Sequence, residues 1–285
     1  MSELAKRTAF AVVAVPMVIW LSWLGGAPLA ILIATASGIA AYEFYRLGIA
    51  AGNRPLVVHG VVLSAAVPLF VYAWHLGFWV PDAGLVMLVV LELLAVTLCV
   101  RGPNAKPLES VAITLLGVFY TGGMMSFAFA LRYHVYAIGA AAGTAVLVFP
   151  FLLTWATDIG GYTFGRMIGG RKLMPSVSPG KTVVGAVGGL VLAIVIALAY
   201  ERYALRPLGQ LGMLVQGTVL FAVLVSVADQ VGDLVESMLK REAGVKDSSH
   251  LIPGHGGMLD RIDSLLFTLP VSYALLSWLL IPVPR

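Results

Sequence analysis

Apolar residues run along this chain in long unbroken stretches, separated by short clusters of Gly, Pro and charged residues. A stretch of about 20 residues with few charges is long enough to cross a bilayer, and continuous apolarity is unlike the alternation of a barrel strand. A backbone in lipid must satisfy its hydrogen bonds within its own segment, so each stretch is predicted to be a helix. The pattern predicts nine helices, at 8–24, 28–45, 56–77, 83–100, 109–131, 136–157, 182–200, 211–240 and 263–282, in an all-α polytopic integral membrane bundle. The first stretch follows Lys6 and Arg7 as a signal peptide would. It reads instead as a transmembrane helix, because a second apolar stretch begins directly after Gly25-Gly26-Ala27-Pro28.

Composition agrees: of 285 residues 60% are hydrophobic and 11% charged, against about 45–50% and about 25% in a soluble domain. The single Cys99 excludes a disulfide framework and a cysteine metal cluster. The net charge of +4 has meaning only once sorted by membrane side. With the N-terminus in the cytoplasm, Arg132, Arg202, Arg206 and Arg285 alone of the 18 Lys and Arg residues fall outside, as the positive-inside rule expects. Residues 1–135 then read as scaffold and lipid-facing helices, and 136–285 as a catalytic region with cytoplasmic loops at 158–181 and 240–263. No nucleic-acid motif, repeat or low-complexity tract is visible.

Chemistry concentrates around those loops. Asp229, Asp233, Glu236 and Lys240 recur at spacings of four, three and four, which at about 100° per residue puts them on one helical face. Two carboxylates about 6 Å apart repel by about 3 kcal/mol at an effective dielectric near 20. A basic partner, a proton or a bound cation relieves that conflict. Magnesium takes hard oxygens from one or two carboxylates together with substrate phosphates, and Asp233, Asp260 and Asp263 are the candidate ligands. Lys240, Arg241, Lys246 and Arg261 suit phosphate oxygens, and Gly254, Gly256 and Gly257 allow close backbone approach. His255 is open between a phosphate or cytidine contact, a proton-transfer group and a plain loop histidine. In the earlier loop, Lys172 and Lys181 are phosphate candidates, and the Ser178-Pro179-Gly180 turn precedes a helix N-terminus suited to anions. Glu92 lies within a predicted span, where a carboxylate is a functional candidate by default. Its role and that of Asp229 stay open, and His59, His75 and His134 read as interfacial.

The run Ser237-x-Leu239-Lys240-Arg241, Lys246-Asp247, Ile252-Pro253-x-His255-Gly256-Gly257-Met258-x-Asp260-Arg261-Ile262-Asp263 resembles the signature of the phosphatidate cytidylyltransferase family, also called CDP-diacylglycerol synthases, without a departure. A second block, Asp158-x-x-Gly161-Tyr162-x-x-Gly165-Arg166 through Ser178-Pro179-Gly180-Lys181-Thr182, resembles the family's S-P-x-K-T-x-E-G region. Val184 stands where that pattern usually has glutamate.

The resemblance implies condensation of CTP with phosphatidic acid to CDP-diacylglycerol and pyrophosphate, by a metal-dependent enzyme of the inner membrane with its site facing the cytoplasm. Asp233, Asp260 and Asp263 are then expected on Mg2+, with a second cation as an open alternative. Lys240, Arg241 and Arg261 are expected at the reacting phosphates, and Lys172, Ser178, Lys181, Thr182, Lys246, His255, Gly256 and Gly257 around the substrates. A homodimer is also implied. Two alternatives are kept: a CTP-dependent polyprenol or lipid kinase, which would release CDP, and an ion-coupled transporter, which would place its carboxylates near the midplane.

Overall fold

The computed structural model describes residues 3–101, 106–251 and 256–283. Among them lie nine continuous helical stretches: α1 (Glu3–Leu24), α2 (Gly26–Ala50), α3 (Val57–His75), α4 (Ala83–Arg101), α5 (Pro107–Arg132), α6 (Gly139–Ile168), α7 (Val183–Gly209), α8 (Val215–Glu242) and α9 (Leu259–Leu279). Eight of these are long and apolar enough to span a membrane, and α1 carries a shorter apolar stretch, Val12–Leu24. The protein is an all-α polytopic integral membrane bundle. Side chains such as Met87, Leu91 and Leu98 on α4 point outward, as they must on a helix whose solvent is lipid.

Several boundaries differ from the sequence pattern, and α7 runs on past residue 200 to Gly209. Helix α6 runs past residue 157 to Ile168, so Asp158, Gly161, Tyr162, Gly165 and Arg166 stand on a helix, not in a loop. Apolarity ends there before the backbone hydrogen bonds do. Ser178-Pro179-Gly180 belongs to a strand and not to a free turn: β1 (Lys172–Met174) pairs antiparallel with β2 (Ser178–Thr182). The later connection is shorter than 240–263, because α8 continues to Glu242 and α9 starts at Leu259.

Contacts divide the chain into two units. One contains 26–129 and 239–261, the other 8–25, 130–238 and 262–285. In the first, the buried Tyr45 of α2 donates its hydroxyl proton to the Thr114 carbonyl of α5 at 2.7 Å, and Thr114 Oγ1 accepts from Leu56 N–H at 2.9 Å. Leu56, Leu93 and Val111 close an apolar cluster beside them. Glu92 pairs with His59 at 3.6 Å, so this carboxylate has a histidine partner and sits half-exposed on the outside of α4, not inside the bundle.

In the second unit α6 and α7 meet along glycines. A Cβ on Gly189 would stand 2.6 Å from the Thr157 carbonyl oxygen, and one on Gly160 would stand 2.8 Å from that of Gly188. The two backbones touch, as small residues permit in membrane helices. Phe149 packs on Tyr200 and Phe221, with ring centroids 4.8 Å away in both cases. Thr157 Oγ1 bonds Ser226 Oγ at 3.0 Å, tying α6 to α8, and Ser264 Oγ donates to the Asp229 carbonyl at 3.2 Å, tying α9 to α8. His134, expected at an interface, is buried and reaches Ser277 Oγ at 3.2 Å.

Candidate active site

In the second unit a cavity of about 810 Å³ is lined by α6, the β1/β2 hairpin, α7 and α8, within the range of about 300–1,000 Å³ that holds a small ligand. Its charged groups are Asp158 and Arg166 from α6, Lys172 and Lys181 from the hairpin, and Asp229 and Asp233 from α8. Gly161, Gly165 and Gly185 form part of the wall, and a Cβ on Gly185 would stand 2.6 Å from the Gly161 carbonyl oxygen, so these glycines let α6 and α7 meet at the cavity's edge. The hairpin holds the lysines in place through its register, Lys172 opposite Thr182. Thr182 Oγ1 accepts from Gly185 N–H at 3.0 Å, capping α7, which satisfies one of the free donors at a helix start.

Lys181 Nζ lies 2.6 Å from Asp233 Oδ2, with both side chains under one-third exposed, and Ser237 Oγ donates to Asp233 Oδ1 at 3.2 Å. One turn earlier, Asp229 is 1% exposed, and its Oδ1 is buried without a hydrogen-bond partner. Asp158, Lys181 and Asp263 are close enough to act on its charge. An orphaned buried carboxylate oxygen is costly, and a hard cation is one group that satisfies it. Asp263 Oδ1 accepts from Ser264 N–H at 2.7 Å. Among the described residues no three His, Cys, Asp or Glu side chains converge as a metal cluster. A magnesium ion therefore fits here only if phosphate oxygens complete its shell, which is its usual habit.

In the first unit, Lys240 Nζ binds Asp260 Oδ1 at 2.7 Å, with side chains 12% and 5% exposed. Asp260 Oδ2 accepts from Ser248 N–H at 3.0 Å, Ser248 Oγ at 2.8 Å and Gly257 N–H at 2.8 Å. Asp260 thus holds Lys240 and the loop before α9, and its oxygens are committed. Gly256 adopts φ +78°, and a Cβ there would stand 2.6 Å from Asp260 Oδ2, so glycine is required on both counts.

The remaining sequence candidates are more scattered. Arg241 donates to the Val245 carbonyl at 3.1 Å, Lys246 and Arg261 face outward, and Ser178 sits opposite Met174 in the hairpin, outside the cavity lining. His255 lies outside the described residues. Sequence reasoning left Arg166 and Tyr162 out of the site and missed Glu43. Glu43 was detectable, because the rule that flags a carboxylate inside a span applies to it as well as to Glu92.

The fold defines a polytopic membrane protein, and its charged, glycine-walled cavity is of a size to admit a small ligand. A model of the Cytidylyltransferase family matches residues 5–279. The chain is 32% identical over 282 residues to the phosphatidate cytidylyltransferase of Bacillus subtilis, covering 97% of this chain and 99% of that one. It is 30% identical over 270 residues to that of Staphylococcus haemolyticus, covering 95% and 98%. With the Staphylococcus saprophyticus protein of the same name it shares 33% over 221 residues, 78% and 80% of the two chains. The chain belongs to the cytidylyltransferase family.

Proposed function

We propose that this protein condenses CTP with phosphatidic acid, giving CDP-diacylglycerol and pyrophosphate. The observation that carries this reading is one cavity in which Arg166, Lys172 and Lys181 face Asp158, Asp229 and Asp233. Cations alone would suit any anion; carboxylates beside them suit a triphosphate that arrives with a divalent ion. The relatives' name supplies the substrates.

A phosphate oxygen of phosphatidic acid attacks the α-phosphorus of CTP in line. The bond from that phosphorus to the bridging oxygen breaks, and pyrophosphate leaves. The nucleophile is already an anion, so no general base is required, and the chain's task is to align two anions and balance their charge. Lys172, Lys181 and Arg166 hold phosphate oxygens in the cavity, and incoming phosphate exchanges places with Asp233 on Lys181. In the other unit Lys240, held by Asp260, and the outward Arg241, Lys246 and Arg261 are assigned to substrate phosphates by their chemistry. Asp233 and Asp263, joined by Asp229 with its orphaned oxygen, are the groups that would hold Mg2+. When bound, the ion supplies charge neutralisation across the triphosphate. Asp260, first expected among the ligands, is assigned instead to fixing Lys240. Ser178 and Thr182 act through the hairpin and the α7 cap. The proposal places the protein in the plasma membrane as a homodimer, with the hairpin and the α8–α9 loop on the cytoplasmic side.

Incubation of purified protein with phosphatidic acid, α-labelled CTP and Mg2+ should give labelled CDP-lipid and pyrophosphate. Product should vanish with chelator and return with added Mg2+. Release of CDP with a newly phosphorylated lipid would make the protein a kinase instead.

A further inference from the structure

Glu43 sits in the apolar helix α2 and is 2% exposed. A carboxylate there is expensive unless fully hydrogen-bonded, and its four partners all come from one short segment far along the chain. Oε1 accepts from Ser249 Oγ at 2.6 Å and Met258 N–H at 3.1 Å. Oε2 accepts from Leu259 N–H at 2.7 Å and lies 3.2 Å from Ser248 Oγ. The two amides belong to the start of α9, where unsatisfied N–H groups and the helix dipole favour a negative charge. Ser248 Oγ has one proton and is nearer to Asp260, at 2.8 Å, so it links the two carboxylates. Gly257 is shaped by the same contact: a Cβ there would stand 2.5 Å from Glu43 Oε2.

We infer that Glu43 is a positioning residue for the transfer reaction: its carboxylate fastens both ends of the segment from Ser248 to Leu259, and so holds Asp260 against Lys240. The inference rests on the proposed function only for what Lys240 does. An apolar residue would pack α2 without desolvating a charge, but it would leave the Met258 and Leu259 amides without their acceptor. What the carboxylate adds is a fixed distance between Ser248-Ser249 and Met258-Leu259, the two places where the segment meets α2. Asp260 follows Leu259 directly and shares Ser248 with Glu43, so an untethered segment leaves Asp260 and its lysine without a fixed seat.

Glu43→Gln keeps the volume but presents an amide N–H to donors. The variant should insert and purify as the wild type does, while kcat/KM for CTP falls roughly tenfold to a hundredfold, the scale of losing an outer positioning group. Glu43→Asp should recover part of the loss. A merely structural residue would lower yield or melting temperature without dependence on Lys240. A positioning residue should be silent in its absence, so Glu43→Gln should cost nothing further in a Lys240→Ala background. Independent, multiplying losses would overturn the inference, as would wild-type kcat/KM in Glu43→Gln. Should Glu43→Gln fail to fold, Ser249→Ala removes one of the four contacts, and its smaller loss should likewise disappear with Lys240→Ala. Amide exchange at 257–259 should quicken in the Glu43 or Ser249 variant; unchanged exchange would refute the tether. That measurement needs no turnover, so a wild-type protein that makes no CDP-lipid would defeat the functional reading while leaving the tether separately decided.

Discussion

Asp229 and Lys181 line one cavity in opposite electrostatic situations. Lys181 has a carboxylate at 2.6 Å, whereas Asp229 keeps a buried oxygen with no hydrogen-bond donor. Asp229→Asn is nearly isosteric and removes the charge, so the Mg2+ concentration giving half-maximal turnover should rise about tenfold or more, the scale set by losing a charged contact. A Mg2+ titration with an unshifted midpoint would exclude Asp229 from the ion. Lys181→Met should lower kcat/KM for CTP about 100-fold, the cost of one preorganised cation or donor at developing charge. Its melting temperature should barely move, because the Asp233 left behind is partly hydrated and such pairs contribute little to stability. A large loss of stability with normal turnover would reverse that assignment and make the pair structural.

At the scale of elements, the cavity exists because α6 and α7 touch. Gly189→Val would place a β-branched side chain against the Thr157 carbonyl and prise the helices apart at the level of Asp158. Overpacking of this kind costs about 1–3 kcal/mol, visible as a lower melting temperature in detergent, with activity falling alongside. A variant as stable and active as wild type would mean the seam is not tight. This seam also marks what could be read beforehand. The nine helices were legible because lipid demands long apolar stretches, and eight of those described are long and apolar enough to span. The α6 end was not, because hydropathy reports where apolar residues stop, while the helix continues through Asp158 and Arg166 on its own hydrogen bonds. The hairpin was hidden because β1 and β2 are three and five residues long, below the length at which periodicity shows. Lys181 and Asp233 were each picked out by type and motif, but their pairing joins the hairpin to α8, which no local pattern encodes. Glu43 could have been flagged as a carboxylate in a span, but its tether could not, because its partners lie 205 to 216 residues away.

For the whole molecule, sidedness follows from counting. The β1/β2 hairpin and the α8–α9 loop are separated by two crossings, α7 and α8, and must emerge on the same side if both helices span. The connection between α5 and α6 is one crossing from the hairpin and must lie opposite. Basic residues Arg171, Lys172, Lys181, Arg241 and Lys246 gather in or beside the first two segments, so the positive-inside rule predicts that side to be the cytoplasmic one. The chain's only cysteine, Cys99, makes this directly measurable. In a Cys99→Ser background, single cysteines at Ser176 and Asp247 should react with a membrane-impermeant maleimide only in inside-out vesicles, and one at Val135 only in right-side-out vesicles. All three positions are exposed, so lack of labelling would not reflect burial. Labelling of Ser176 and Asp247 from opposite sides would show that α7 or α8 does not cross, and would separate the lysine-bearing hairpin from the Asp260 loop by a bilayer. Labelling of both from the outer face would remove the site from the compartment that holds its nucleotide.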